Sequence, residues 1–386
     1  MPQTRRHLVS FAALSASYFA HIGFFNPYLA LWLKDLGYGI VAIGLLTAVQ
    51  AATRLIAPYG WGWISDHTGE RVKLLRVGAT VAFLVSCGLW VDGGFGWLAG
   101  VLFVMFLHTS AMMPMSEAAM AHLVSRDGAF DAGRYGRVRL WGSLGFLVTV
   151  FLAGAWFERF GMGHFPAWTV LSLLAVVVSA WLLPDLKEAL PVHEKKQPVW
   201  PILKQRPVQW FFASLFFHVL AHMGIYIFFS LYLDEMGYSK TAIGLLWAVS
   251  VLVEIVWFFT QSRWLPALSP AAWLVACGAL MVLRMGLTAS SAAVWPLLLL
   301  AQCLHALTFA AHHSMCITLL SRYFPGSLRG RGQALYTVVG YGFPGVLGGL
   351  FGGVLSSHFG LGSVFWAALA SSVLATACAF KVWRAG

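Results

Sequence analysis

The residues able to do chemistry in this chain are a few ionisable side chains stranded in apolar runs. "AVSVLVEIVWFF", residues 248–259, sets one carboxylate, Glu254, among eleven uncharged residues. Arg54, Glu117, Arg139 and Arg284 are placed the same way. Histidines accompany them at positions 21, 108, 122, 218, 222, 305, 312 and 313. A charge near the middle of a lipid-spanning helix costs roughly 2.5–3.5 kcal/mol on insertion scales. Two acids and three bases facing lipid would together cost on the order of 10 kcal/mol, so they must pair or line a watered cavity.

A carboxylate in such a cavity is useful because its proton affinity follows its surroundings. Desolvation raises that affinity, and a neighbouring guanidinium lowers it. If a solute competes for the guanidinium, solute binding and protonation become linked, which is the minimum that proton-coupled transport needs. Adjacent helices suggest two pairs: Glu117 with Arg139, and Glu254 with Arg284, with His305 in reach. The alternative for each is a permanent bridge pinning two helices. His108, His218 and His312 are expected to be satisfied by nearby hydroxyls and carbonyls. His305 and His313 are candidates for proton handling, and His222 for the cavity wall.

Long apolar helices must position these groups. Of 386 residues, 59% are hydrophobic and 10% charged, where a soluble chain carries about 25% charged residues. A span needs about 20 apolar residues. Such runs lie near 8–33, 40–63, 74–91, 96–123, 135–157 and 166–183, then near 208–233, 240–262, 270–288, 293–321, 332–356 and 360–381. The expected fold is an all-α polytopic membrane protein of twelve transmembrane helices. Residues 1–183 make one six-helix bundle, 184–206 a polar, Pro-rich, basic linker, and 207–386 the second bundle. The basic start "MPQTRRHLVSFAALSASYFAHIGFF" runs on without a clear cleavage site, which reads as a retained first helix.

Nineteen Lys and Arg fall in the termini and the loops on their side, against Lys34, Arg159 and Lys240 on the other. That bias places the termini and the linker in the cytoplasm. The formal charge of +11 is therefore topological, and no nucleic-acid partner is expected. The halves repeat: "AIGLLTAV" at 42–49 returns as "AIGLLWAV" at 242–249, and "DLGY" at 35–38 as "EMGY" at 235–238. The same offset of 200 sets Arg54 against Glu254. Parallel repeats of this kind place a binding site at their interface near the bilayer midplane.

"GWGWISDHTGERVK", 60–73, resembles the loop signature of the major facilitator superfamily, with Gly62, Asp66, Gly69 and Arg71 at its spacing. The resemblance implies a cytoplasmic gate in which Asp66 accepts from helix ends and arginines. His67 and Glu70 stand where that signature usually has basic residues. "EAAMAHLVSRDGAFDAGRYGRVRLWGSLGF", 117–146, resembles the oligosaccharide:proton symporters. That likeness implies substrate contacts from Glu117, Arg139 and Phe146, and proton coupling by Glu254, Arg284 and His305. Their proton-carrying glutamate three residues beyond the histidine is Thr308 here. The phenylpropionate permease branch is similar over nearly the whole chain, in "WLKDLGYGIVAIGLL", "YGRVRLWGS", Arg54 and "LHALTFAAHH" with Thr308 and His313. It implies symport of a small organic solute with protons across a bacterial-type inner membrane, nominally an aromatic acid.

From the residues alone, Trp141, Phe146, Tyr226 and Trp247 are candidate cavity walls among 18 Trp, 29 Phe and 11 Tyr. An arginine among aromatic rings suits a carboxylate with an aromatic body, and it also suits a sugar or nucleoside. The same charges would serve a proton-antiport exporter. An intramembrane enzyme finds no HExxH, GxSxG or paired aspartates in the spans, and no P-loop points to ATP. The GxGxxG within "VVGYGFPGVLGGLFGG", 338–353, follows no strand and reads as close helix packing. The five cysteines, none in a CxxC pair, read as small buried thiols. No cofactor or metal is implied. The expected partners are a small solute, protons and lipid, around a monomer.

Overall fold

The computed structural model describes residues 3–126, 129–130, 132–185 and 198–385. Among the described residues, twelve helices are long and apolar enough to cross a membrane. The first six are α1 (Arg6–Asp35), α2 (Ile40–Thr68), α3 (Arg71–Trp90), α4 (Gly94–Met120), α5 (Arg134–Phe160) and α6 (Met162–Trp181). The second six are α7 (Arg206–Glu235), α8 (Lys240–Ala267), α9 (Pro270–Ser291), α10 (Trp295–Tyr323), α11 (Arg329–Phe359) and α12 (Gly362–Ala385). Ser239 and Ser269 cap α8 and α9, accepting from the amides of Ala242 and Ala272. Between α4 and α5 a two-residue antiparallel ladder pairs Ser125 with Phe130 and Arg126 with Ala129, a detail the all-helical reading lacks. The linker's residues 186–197 lie outside the described residues.

An even number of crossings leaves both termini on one face, called here the terminal face. Within the halves, α1 packs on α5 and α6, and α12 on α7 and α9. Two seams join them, α2 with α11 and α5 with α8. Adding six to each helix number, with numbers past twelve starting again from one, turns one seam into the other, so the repeat in the sequence is also a repeat in space.

The repeated motifs build those seams. Gly44 and Gly244, the glycines of the two "AIGLL" copies, sit where the backbones approach closely. A Cβ at Gly44 would run into the Gly349 carbonyl oxygen, and one at Gly244 would stand 2.7 Å from the Val150 carbonyl oxygen. The turns before them use Gly37 and Gly237 at φ 86° and 84°, a left-handed conformation that glycine adopts without penalty.

The halves share a core only towards the face opposite the termini. There Phe24, Tyr28 and Trp32 of α1 pack in one cluster with Phe228, Leu233 and Leu246, all at most 2% exposed. Tyr28 Oη donates to the carbonyls of Val150 and Lys240, at 3.1 and 3.2 Å. Lys34 Nζ meets Asp234 Oδ2 at 2.7 Å, and Glu158 Oε2 accepts from the Lys240 amide at 2.6 Å. Nearer the terminal face each half has its own cluster, around Leu75 and Met112 in one and Leu215 and Leu320 in the other. A cavity opens between these separate cores.

Of the five cysteines, all free, Cys277, Cys316 and Cys378 are buried as expected. Cys87 and Cys303 are exposed.

Candidate functional site

The cavity holds about 300 Å³ and draws its walls from both halves. Arg54 on α2 and Glu254 on α8 each lie fourteen residues in from the closed face, so the repeat sets a cation and an anion at one depth. Aromatic walls come from Phe19, Phe146, Tyr226, Trp247, Phe309 and Tyr341. Trp247 is held by its indole N–H, which donates to Ser230 Oγ at 3.1 Å, and its ring lies at 18° to that of Tyr226 with centroids 6.4 Å apart.

On the second half's side a relay runs back from the cavity into dry protein. Glu254 Oε2 is 3.4 Å from His305 Nε2, and His305 Nδ1 is 3.0 Å from Arg284 Nη1. A guanidinium only donates, so Nδ1 of His305 accepts and its proton sits on Nε2, aimed at Glu254. His222 Nε2 stands 3.4 Å from the same Arg284 nitrogen, and its Nδ1 faces the His218 carbonyl at 3.3 Å, which only accepts, so Nδ1 carries the proton. Arg284 also donates to Thr308 Oγ1 at 3.0 Å and Gln302 Oε1 at 3.3 Å, and Ser250 Oγ donates to that same Gln302 oxygen at 2.8 Å. Arg284 is 1% exposed, and among the described residues no carboxylate lies within 4.0 Å of it. Neutral acceptors alone solvate the buried charge, an arrangement sensitive to the loss of any one of them.

Three helices carry a π-helical turn beside this cluster: Gly224–Phe228 in α7, Ala306–Ala311 in α10 and Val338–Gly342 in α11. Each brings an aromatic residue to the cavity, Tyr226, Phe309 and Tyr341. Such turns insert one residue into the helical register and recur at functional sites.

In the first half, Arg139 Nε lies 3.9 Å from Glu117 Oε1, and Tyr135 Oη donates to the same oxygen at 3.0 Å. The Arg139 guanidinium stacks over Phe19, 4.2 Å from the ring centroid. The pair is 41% and 38% exposed, at the open side of the cavity. Arg54, by contrast, has no ion pair or side-chain hydrogen bond among the described residues.

Arg54, Arg139, Phe146, Trp247, Glu254 and His305 thus converge on one cavity, as does Tyr226. Several sequence expectations need correction. Glu254 does not pair directly with Arg284, because the His305 ring stands between them. Arg284 and His222 lie behind the wall, His222 screened by the stacked Tyr226 ring at 5.6 Å. Glu117 is outside the lining and reaches it only through Arg139. Trp141 is 55% exposed, since two residues along a helix is more than half a turn from Arg139. His313 bonds Tyr336 Oη at 2.8 Å and meets the relay only through the Phe309 ring. At the loop, Asp66 accepts from Arg71 Nη2 at 2.9 Å, with Gly69 closing α2 in the left-handed conformation and Gly62 within the helix. That pair ties α2 to α3.

His108 and His218 are satisfied by carbonyls, those of Val104 at 2.7 Å and Thr308 at 2.6 Å. His312 stacks on His218 with centroids 3.6 Å apart. The side chain of His122 lies outside what the structure describes. Sequence reasoning overlooked Gln302 and Ser250, whose polar character in an apolar run was the available signal. It also overlooked the Lys34–Asp234 closure, although the two residues stand at the repeat offset.

Residues 10–367 match the MFS_1 like family. The chain is 28% identical over 360 residues to the probable 3-phenylpropionic acid transporter of Escherichia coli (strain K12), covering 91% of each. It is 23% identical over 351 residues to the maltose permease of Geobacillus stearothermophilus, covering 90% of this chain and 87% of that one. The solved nucleoside transporter NupG superposes with a TM-score of 0.81 at 14% identity, covering 98% of this chain and 99% of that one. A POT family transporter in complex with 5-aminolevulinic acid superposes at 0.80 and 10% identity, covering 98% and 96%. These two likenesses are of fold.

Proposed function

The chain belongs to the MFS_1 like family and is a multi-pass membrane transporter of major facilitator type, and from that premise we propose that it imports an aromatic monocarboxylate of phenylpropionate type together with protons. The carrying observation is Arg54, a cavity cation without a protein partner among the described residues, in an aromatic-walled chamber that also holds Glu254. An organic carboxylate would supply the missing partner through charge-assisted hydrogen bonds, and its ring would stack on Trp247, Tyr226 or Phe146. The named relative in Escherichia coli supports the same solute class.

Proton coupling follows from putting two anions in one small chamber. Solute carboxylate and ionised Glu254 repel each other, so protonating Glu254 favours loading and loading favours protonation. His305 holds Glu254 in place by its Nε2 proton, and Arg284 fixes that tautomer from behind. The loaded chamber then carries the solute's charge against Arg54 and a neutral Glu254. Rocking about the α2–α11 and α5–α8 seams would open the opposite face and close the terminal one. The excess of Lys and Arg on the terminal face supports an inner-membrane protein with cytoplasmic termini. A sugar or nucleoside fits less well: the Glu117 contact implied by the oligosaccharide signature is absent from the lining.

The test is a thermal-shift screen of purified protein against aromatic acids, sugars and nucleosides, since only a ligand of the folded state raises the melting temperature. Stabilisation by aromatic acids alone is expected. Stabilisation by sugars or nucleosides and not by acids would refute the solute assignment.

A further inference from the structure

The deep end of the cavity, next to the closed face, holds two amides that the transport reading leaves unused. Asn26 on α1 lies nine residues in from Asp35, and Gln50 on α2 lies ten in from Ile40, so both stand at one level. Trp247 and Tyr226 stand close to that level on the other half, seven and nine residues in. Gln50 Nε2 donates to Asn26 Oδ1 at 3.1 Å. That single bond leaves the Asn26 side-chain N–H groups and the Gln50 side-chain oxygen Oε1 without a partner among the described residues. Exchanging O and N in both amides changes nothing in kind: one donor and one acceptor still face the cavity. Of the hydroxyls nearby, Thr47 is committed to the carbonyls of Ile43 and Gly44 and Ser250 to Gln302, while that of Tyr226 makes no hydrogen bond among the described residues.

Resting on the aromatic-acid reading above, we infer that Asn26 and Gln50 set specificity, selecting an aromatic acid that carries a hydroxyl on the ring edge remote from its carboxylate. Arg54 stands one helical turn nearer the mouth than Gln50, about 6 Å of rise, to which two long side chains add their reach. That span matches an arylalkanoate lying with its carboxylate on Arg54 and its ring among Trp247 and Tyr226. The ring's far edge then meets the amide pair, and a hydroxyl uses both free valences, donating to one amide and accepting from the other. A bare ring would instead strip water from a donor and an acceptor and give nothing back, which is how sites built for a hydroxyl reject the analogue lacking it.

The experiment measures dissociation constants by calorimetry on the purified full chain for 3-phenylpropionate and its ring-hydroxylated counterparts, in wild type, Gln50→Met and Asn26→Leu. In wild type one hydroxylated isomer should bind at least about tenfold tighter than the bare acid. In either variant that ratio should fall to near one. The ratio is insensitive to general damage, which weakens both acids alike, and the wild-type comparison stands even if a variant does not fold. Equal binding of all the acids to wild type, or an unchanged ratio in both variants, overturns the inference and leaves the aromatic-acid reading intact. Binding of none of the acids overturns both.

Discussion

Replacing Glu254 by glutamine removes the proton site while keeping its geometry. The amide oxygen of the substituted side chain can still accept from His305 Nε2, now 3.4 Å from the carboxylate, so the relay to Arg284 is preserved. What disappears is the negative charge. A rounded chamber of about 300 Å³ is about 8 Å across, and for two anions that far apart at an effective dielectric of about 20 the repulsion removed is about 2 kcal/mol. That is about thirtyfold in affinity. Wild type should therefore bind an aromatic acid more tightly as the pH falls, by up to about thirtyfold. The Glu254→Gln protein should bind tightly and without that pH dependence. Calorimetry across a pH series reads the binding, and uptake into proteoliposomes reads the coupling. The variant should exchange solute between the two sides yet fail to accumulate it under a proton gradient. Proton-driven accumulation by Glu254→Gln, or a pH dependence matching wild type, would remove Glu254 from the mechanism.

Arg54→Met should weaken binding of an aromatic acid about tenfold to a hundredfold, the worth of charge-assisted hydrogen bonds. The neutral amide of the same acid should lose much less, and equal losses in a competition assay would clear Arg54 of the anchoring role. Gly244→Val sets a Cβ 2.7 Å from the Val150 carbonyl oxygen, where backbone must move. Overpacking of about 1–3 kcal/mol should shift the protein away from the closed opposite face. Spin labels on a Lys34→Cys, Asp234→Cys protein should then report a longer separation, and an unchanged distance would show that the seam is not the hinge of closure. Trp141→Ala should alter solute affinity less than about twofold, because that side chain points out of the bundle; a larger loss in the same calorimetry would return it to the cavity wall.

Glu254 shows how far a sequence can be read and where reading stops. Its position in an apolar run forces a polar surrounding, and adjacency of α8 and α9 made Arg284 the natural partner. The partner in space is His305, from α10, because helical rotation rather than chain adjacency decides which side chains meet. Trp141 failed for the same reason: its distance from Arg139 along the chain looked small, and its angle around the helix was large. Thr308 is the converse case. Its place in the symporter resemblance marked a lost carboxylate, and the fold uses its hydroxyl to solvate Arg284 at 3.0 Å.

Burying a charge in lipid is so costly, and spanning it takes so fixed a length, that composition and periodicity alone determined the twelve helices, the two repeats and the existence of a polar chamber between them. Tertiary structure alone decided which charges share the chamber, which face is closed, and that Arg54 faces solute space while Arg284 is sealed behind histidines. Those outcomes depend on the rotation of each helix about its axis, on three π-helical turns that shift that rotation, and on the tilt between halves. None of these is a local property of the chain, because each is set by side chains from several helices packing at once.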